Sequence, residues 1–139
     1  MMLHKLLLIL NSFRKYPNAR RSAWLHPYTP FPKDIVVGQR TVINADVKVG
    51  KDVFIGRDCH ICHAVEIGDR TRICHNVHIL TNDGHPVKIG KDVFIGHHAT
   101  ITKGISIGDN ATISHGAAVF ENVPADVTVW GNPAKIKWM

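Results

Sequence analysis

A chain of 139 residues with a formal charge of +6 is long enough for one domain with its own core, and its charge reports attraction to anions without naming which. Three cysteines, Cys59, Cys62 and Cys74, are too few and too close together for the disulfide framework of a secreted scaffold, which points to a reducing, cytoplasmic compartment. No helix-turn-helix, zinc-finger or aromatic RNA-binding signature accompanies the basic charge, so no nucleic-acid partner is expected.

The chain opens on a leucine-rich run, Met1 to Leu10, with Lys5 inside it. That run is far shorter than the roughly 20 apolar residues of a membrane-spanning helix. The bulky, basic stretch Asn11-Ser12-Phe13-Arg14-Lys15 after it does not resemble the small-residue cleavage site of an export signal. Leu3, Leu6, Leu7, Leu10 and Phe13 recur near helical spacing and predict a short amphipathic helix within a lead-in over residues 1–36. Its apolar stripe is expected to dock onto the protein's own assembly, with weak membrane association as the alternative.

From Val37 an aliphatic residue stands at every sixth position: Val37, Ile43, Val49, Ile55, Ile61, Ile67, Ile73 and Ile79. The series resumes at Ile89 and runs through Ile95, Ile101, Ile107, Ile113 and Val119, after a gap four residues longer than one repeat. Four positions after these residues stands a second small or aliphatic one, from Val47, Val53, Cys59, Val65, Thr71 and Val77 to Ala117 and Val123. Both positions must face inward. A six-residue period matches neither an α-helix nor a series of hairpins; it is the pattern of a parallel β-helix in which each repeat is one short strand and one corner. Three repeats then make a coil, and residues 18 apart stack. The predicted domain order is the lead-in 1–36, an all-β helix over 37–126 with a loop at 80–88, and a tail over 127–139.

One predicted corner column reads Gly50, Gly68, Gly90 and Gly108, where repeated glycine implies a special backbone angle or a close approach. The next reads Lys51, Asp69, Lys91 and Asp109, with alternating charge. Stacked about 4.7 to 4.9 Å apart, these side chains are expected to form a ladder of ion pairs that specifies register, each pair contributing only about 0.2 to 1 kcal/mol.

The aliphatic-Gly-x-x-small-x repeats from Val49-Gly50 to Ile113, with the ending Trp130-Gly131-Asn132-Pro133-Ala134-Lys135-Ile136, resemble the hexapeptide-repeat acetyltransferases, a group that includes galactoside, maltose, serine and xenobiotic enzymes. The resemblance covers residues 37 to 137. It implies a left-handed β-helix, a homotrimer, acetyl-CoA as co-substrate, no metal, and transfer of acetyl to a hydroxyl or amine of a small acceptor. By family habit the acceptor is a saccharide or sugar derivative, with a xenobiotic or an amino acid such as serine as alternatives.

The four extra residues fall in the polar stretch Leu80-Thr81-Asn82-Asp83-Gly84-His85-Pro86-Val87-Lys88, and interruptions of a rigid scaffold are where sites are usually placed. Acetyl transfer needs a base to take the acceptor's proton, and histidine titrates close enough to neutrality to serve. His85 is the candidate; its Gly-His-Pro-Val setting resembles the catalytic loop of galactoside acetyltransferases. Asn82 and Asp83 can orient the histidine, bind the acceptor, or simply make the turn that Asn-Asp-Gly favours. The acceptor-binding positions of the galactoside enzymes meet Phe54 and Cys62 here, so a galactoside acceptor is not implied.

Allowing for the insertion, Arg57, His75, His97 and His115 fall in one corner column. The resemblance places His97 and His115, with the preceding Gly96 and Ser114, where the galactoside enzymes contact CoA. It also places Lys135, with Lys137 close by, against the nucleotide end of CoA, where phosphate calls for positive charge. The family's Thr-Lys before the Val-Pro turn is replaced by Phe120-Glu121.

Two other signals are weaker. Cys59-His60-Ile61-Cys62-His63 spells a haem-attachment motif, but Cys59 falls at an inward position and Cys62 at the glycine place of the next corner. The zinc-binding carbonic anhydrases of related fold use a His-x-x-x-x-His pair, and none of the 10 histidines has another five positions later. A non-catalytic trimeric scaffold is the alternative from a different class, and the His85 loop speaks against it.

Overall fold

The computed structural model describes residues 19, 22–27, 29–82 and 84–137. The expected N-terminal helix lies outside them, and so does Asp83. Every secondary-structure element among the described residues is a strand of two or three residues.

The strands stack into three sheets, here called faces A, B and C in the order the coil that starts at Val36 visits them. Face A carries Val36–Val37, Phe54–Ile55, Arg72–Ile73, Phe94–Ile95, Thr112–Ile113 and Thr128–Trp130. Face B carries Trp24–Leu25, Val42–Ile43, His60–Ile61, His78–Ile79, Thr100–Ile101 and Ala118–Val119. Face C carries Val47–Val49, Val65–Ile67, Val87–Ile89 and Ser106–Ile107. All of these pairs are parallel, and the architecture is the left-handed parallel β-helix. The register bears out the stacking arithmetic. Phe54 lies opposite Arg72, 18 residues on, whereas Arg72 lies opposite Phe94, 22 residues on, because the coil between them contains the four-residue insertion.

Strands so short cannot stand alone, and the interior explains why they hold. Ile43, Ile55, Ile61, Ile73, Ile79, Ile95, Ile101 and Ile113 are each 0 % exposed. Burying such a side chain contributes roughly 1.5 to 3 kcal/mol. Val49 is the exception, only half-buried on the first strand of face C. Two inward positions hold threonine, and both are satisfied. The Thr71 hydroxyl donates to the Gly90 carbonyl at 2.8 Å and accepts the Val93 N–H at 3.3 Å, while Thr41 does the same between Gly56 and Cys59. Cys59 faces inward as its place in the repeat requires, 1 % exposed, with its thiol donating to the Cys74 carbonyl at 3.0 Å.

The corners divide the work between two residues. The glycine column serves close approach. A Cβ on Gly68 would stand 2.5 Å from the Gly90 carbonyl carbon, and one on Gly50 would overlap Asp69. The left-handed backbone angle falls instead two residues later, at Asp46, Asp52, Asp58, Asn76, Asp92 and Asn110 among others, with φ between 52° and 59°. Asp and Asn tolerate that region better than most side chains, which is why they recur there.

The expected ion-pair ladder is corrected by the structure. Asp69 and Asp109 do not pair with the lysines stacked beside them; their Oδ1 atoms accept the backbone N–H groups of Lys51 and Lys91, each at 2.8 Å. A carboxylate beside an otherwise unused N–H gains more from that bond than from a long, mobile lysine chain. Bidentate pairs form instead at the left-handed position. Arg40 meets Asp58 at 2.7 and 3.0 Å, and Arg70 meets Asp92 at 2.8 and 3.0 Å. These guanidinium partners hold the Asp58 and Asp92 carboxyls below the usual range.

At the far end the chain folds back over the open coil. Thr128–Trp130 joins face A, and Lys135–Ile136 pairs antiparallel with it, bringing Ala134 and Ile136 against the core.

Candidate active site

The interruption of the repeat sits on the edge between faces B and C. After Ile79 the chain leaves the coil, turns through Gly84 at φ 80°, and re-enters at Val87. Backbone bonds around its turn hold the loop. The His85 N–H donates to the Asn82 carbonyl at 3.1 Å, the Gly104 N–H donates to the His85 carbonyl at 3.1 Å, and the Val87 N–H donates to the Ala64 carbonyl at 3.1 Å. The Thr81 hydroxyl donates to the His63 carbonyl and ties the loop to the coil beneath. Asn82 and His85 are both exposed, so an imidazole is presented to solvent from a backbone fixed on two sides.

The same register reveals a residue the sequence reading passed over. Val87 lies opposite Val65, so counting back two residues puts His85 level with His63. His63 is half-buried, with its Nε2 shielded from solvent. Two imidazoles therefore occupy one edge one coil apart. The signal was present as the His-Ala-Val and His-Pro-Val contexts at matching places in successive coils.

Gly96, His97, Ser114 and His115 gather on a different edge, between faces A and B. Their histidines form a column with a definite chemical role. The Arg57 N–H donates to His75 Nδ1 at 2.9 Å, the His75 N–H to His97 Nδ1 at 3.1 Å, and the His97 N–H to His115 Nδ1 at 2.8 Å. Each imidazole thus caps a backbone N–H one coil below. The rings stack, with centroids 5.1 Å apart between His75 and His97 and 5.0 Å between His97 and His115. An Nδ1 that accepts a hydrogen bond carries no proton, so all three are in the Nε2–H form. Gly96 is required by this packing, since a Cβ there would lie 2.6 Å from the His115 nitrogen.

Desolvation, then repulsion from His115, His75, His98 and Arg57, holds the His97 pKa below its ordinary value of 6.5. A base whose pKa is lower folded than unfolded stabilises the fold above its unfolded pKa and loses that contribution as pH falls through the folded value. Thermal stability is therefore expected to decline as pH drops below about 6.5, where the unfolded chain takes up the proton first. His97→Asn, whose amide oxygen can still accept the His75 N–H, should flatten that decline in melting curves taken across the range. Equal slopes for the two proteins would remove His97 from the acid response.

The C-terminal lysines go separate ways. Lys135 Nζ lies 3.3 Å from Glu121 Oε1, so the residue expected at phosphate is engaged by the residue that departs from the family pattern. Lys137 Nζ lies 5.9 Å from the centre of the Trp130 ring. The structure thus brings Gly96, His97, Ser114 and His115 together on one edge, with Trp130 and Lys137 at its end. It does not bring them to His85. A full face, carrying Thr100–Ile101, separates the two edges within one chain. Among the described residues no three His, Cys, Asp or Glu side chains converge as a metal site.

The family described as bacterial transferase hexapeptide (six repeats) matches residues 46–81, and that described as hexapeptide repeat of succinyl-transferase matches residues 86–121. The chain belongs to the hexapeptide-repeat transferase family. Solved members of similar fold include a maltose O-acetyltransferase from Clostridium difficile 630, 33 % identical with a TM-score of 0.70, covering 76 % of this chain and 66 % of that one. The serine acetyltransferase of Neisseria gonorrhoeae, in complex with serine, is 30 % identical with a TM-score of 0.63, covering 67 % of this chain and 41 % of that one. Soybean serine acetyltransferase is 30 % identical with a TM-score of 0.63, covering 66 % and 40 %. The chain thus spans about two fifths of the length of these serine acetyltransferases. No curated protein sequence matches the chain.

Proposed function

We propose that this hexapeptide-repeat transferase moves an acetyl group from acetyl-CoA to a hydroxyl or amine of a small acceptor, in one direct step with His85 as general base. The observation that carries the reading is the exposed His85 imidazole on a hydrogen-bonded backbone at the interruption of the repeat, in a chain whose structural neighbours include acetyltransferases. In that step His85 takes the acceptor's proton as its oxygen or nitrogen bonds to the acetyl carbon. The C–S bond then breaks with its electron pair going to sulfur, and the thiolate of CoA leaves. No acyl-enzyme is needed. His63, one coil away on the same edge, is the second candidate for the base.

We take the acceptor to be a saccharide or sugar derivative, with serine-like and xenobiotic acceptors as competitors; the neighbours named for maltose and for serine support both classes. A thiol-release assay with acetyl-CoA across sugars, serine and antibiotics tests the reading. Turnover with none of them would favour a non-catalytic scaffold.

The working unit is proposed to be a homotrimer, because a base on one edge and a cofactor column on another can meet only if a neighbouring copy supplies one of them. Light scattering at micromolar concentration should then return three times the 15.5 kDa of the chain. Two inactive variants, one lacking His85 and the other altered at the A–B edge, should regain activity when mixed during refolding. A monomeric mass, or no complementation, would remove the shared site.

A further inference from the structure

The outward positions of the three faces differ in charge. Face C presents Lys48, Glu66, Lys88 and Ser106, with Lys48 Nζ 3.8 Å from Glu66 Oε1, as a solvated surface does. Face A includes Arg72. Face B presents Trp24, Val42, His60, His78, Thr100 and Ala118, and none of these is a lysine, arginine, aspartate or glutamate. The corner that follows face B is equally free of charge, reading Asn44, Cys62, Leu80, Thr102 and Phe120, with Leu80 and Phe120 exposed. Depletion of charge is the compositional mark of the core of an interface.

Face B also lies between the two edges that a shared site would join. In a threefold assembly whose sites each combine the A–B edge of one copy with the B–C edge of the next, both edges bounding face B meet neighbours, so face B looks at the symmetry axis. Rotation about an axis parallel to the stack of coils leaves height unchanged, and each outward residue of face B then meets two copies of itself. At two successive coils that residue is histidine, His60 opposite His78, and both are exposed. The Asn44 amide nitrogen lies 3.2 Å from His60 Nε2, and the His78 ring stands edge-on to His60, with centroids 6.4 Å apart and an interplanar angle of 75°. Asn44 thus engages one nitrogen of the first ring, and that ring props the second.

We propose that three His78 imidazoles, one from each copy, form a site on the trimer axis for a single divalent transition-metal ion such as zinc, with His60 and Asn44 setting the orientation of each ring. Imidazole is a favoured ligand of zinc, copper and nickel, and three of them around a threefold axis leave the fourth tetrahedral position to a water on that axis. The inference rests on the homotrimer reading above. No single chain completes the site, in keeping with the lack of a three-ligand cluster among the described residues of one copy. The ion fastens the copies together and takes no part in acetyl transfer, for which the family resemblance implies no metal.

The test strips the full chain with a chelator, then titrates it with zinc chloride in a calorimeter while light scattering follows the mass. The expected result is a threefold mass that binds one ion per three chains and melts at a higher temperature with zinc than without. Cobalt(II) in place of zinc should give the visible absorption of a tetrahedral site. His78→Gln should weaken zinc binding by about 100-fold or more, since losing only an outer partner of a ligand already costs about 10- to 100-fold. His98→Gln, which alters an exposed corner histidine off face B, should leave binding unchanged. Stoichiometry and the cobalt spectrum are read on the unaltered chain, so they decide the matter even if His78→Gln does not assemble. A trimer that binds no zinc, one that takes up an ion or more per chain, or tight binding that survives His78→Gln would overturn the axial site while leaving the trimer standing. A monomeric mass with and without zinc would overturn the trimer reading and the site with it.

Discussion

Replacing His85 by alanine is expected to lower kcat by about 10² to 10⁴-fold, the usual contribution of a positioned base, while leaving acetyl-CoA affinity nearly unchanged. The affinity should hold because the base acts on the acceptor, and because the column of cofactor candidates lies on another edge. The fold should hold as well. The loop's ties to the coil run through backbone groups of Asn82, His85 and Gly104 and through the Thr81 hydroxyl, none of which the substitution removes. Part of the lost rate should return at high pH, where solvent hydroxide can take the proton in place of imidazole. If His85→Ala keeps most of its activity with a good acceptor, the assignment fails and His63 is the next residue to replace. The pair can be separated by steady-state kinetics, since a second imidazole that only supports the loop should alter KM for the acceptor more than kcat.

The second large effect concerns the core. Ile95→Ala should cost about 2 to 5 kcal/mol, the range for truncating a fully buried aliphatic chain that leaves a cavity behind. Ile95 is 0 % exposed and lies between Ile73 and Ile113 in register, so the gap opens in the middle of a continuous aliphatic column. The neighbouring coils are held apart by main-chain bonds at fixed spacing and cannot close it. Urea denaturation followed by circular dichroism should show an earlier midpoint, with a much smaller shift for Ile136→Ala, whose side chain is only half-buried in the C-terminal hairpin. Comparable shifts for the two would mean that the coils relax more freely than their hydrogen bonding implies.

Much of this architecture is written in the chain as a period. The six-residue recurrence named the inward positions, the 18-residue stack named the columns, and the surplus between Ile79 and Ile89 located the loop. Those features are legible because one physical requirement, burial, acts on every repeat in the same way. The hand of the coil was not legible in the pattern and came from family resemblance. The corner chemistry was half legible. Glycine announced a special place, but close approach and the left-handed angle belong to different residues, and only the backbone separates Gly50 from Asp52 in that respect. Asp69 and Asp109 misled because an alternating charge pattern does not say whether a carboxylate meets a side chain or an N–H. Register hid His63 from the reading, since the insertion places its partner 22 residues away rather than 18. The histidine column was visible, but its function as a set of N–H acceptors needs the direction of each ring.

The triangular coil also constrains which rearrangements of the gene this protein can survive. Removing 18 residues from the regular part takes out one storey and returns every later residue to its own face. Removing 6 leaves each aliphatic residue inward and each glycine at a corner, so the shortened chain still satisfies the core. It nevertheless rotates everything downstream by a third of a turn, so the loop bearing His85 swaps to another edge relative to all that precedes it. Selection for folding is blind to that slip, whereas selection for a shared site between edges is not. Length variation among working versions of such a chain should therefore fall in whole coils, even where stability alone would accept a single repeat.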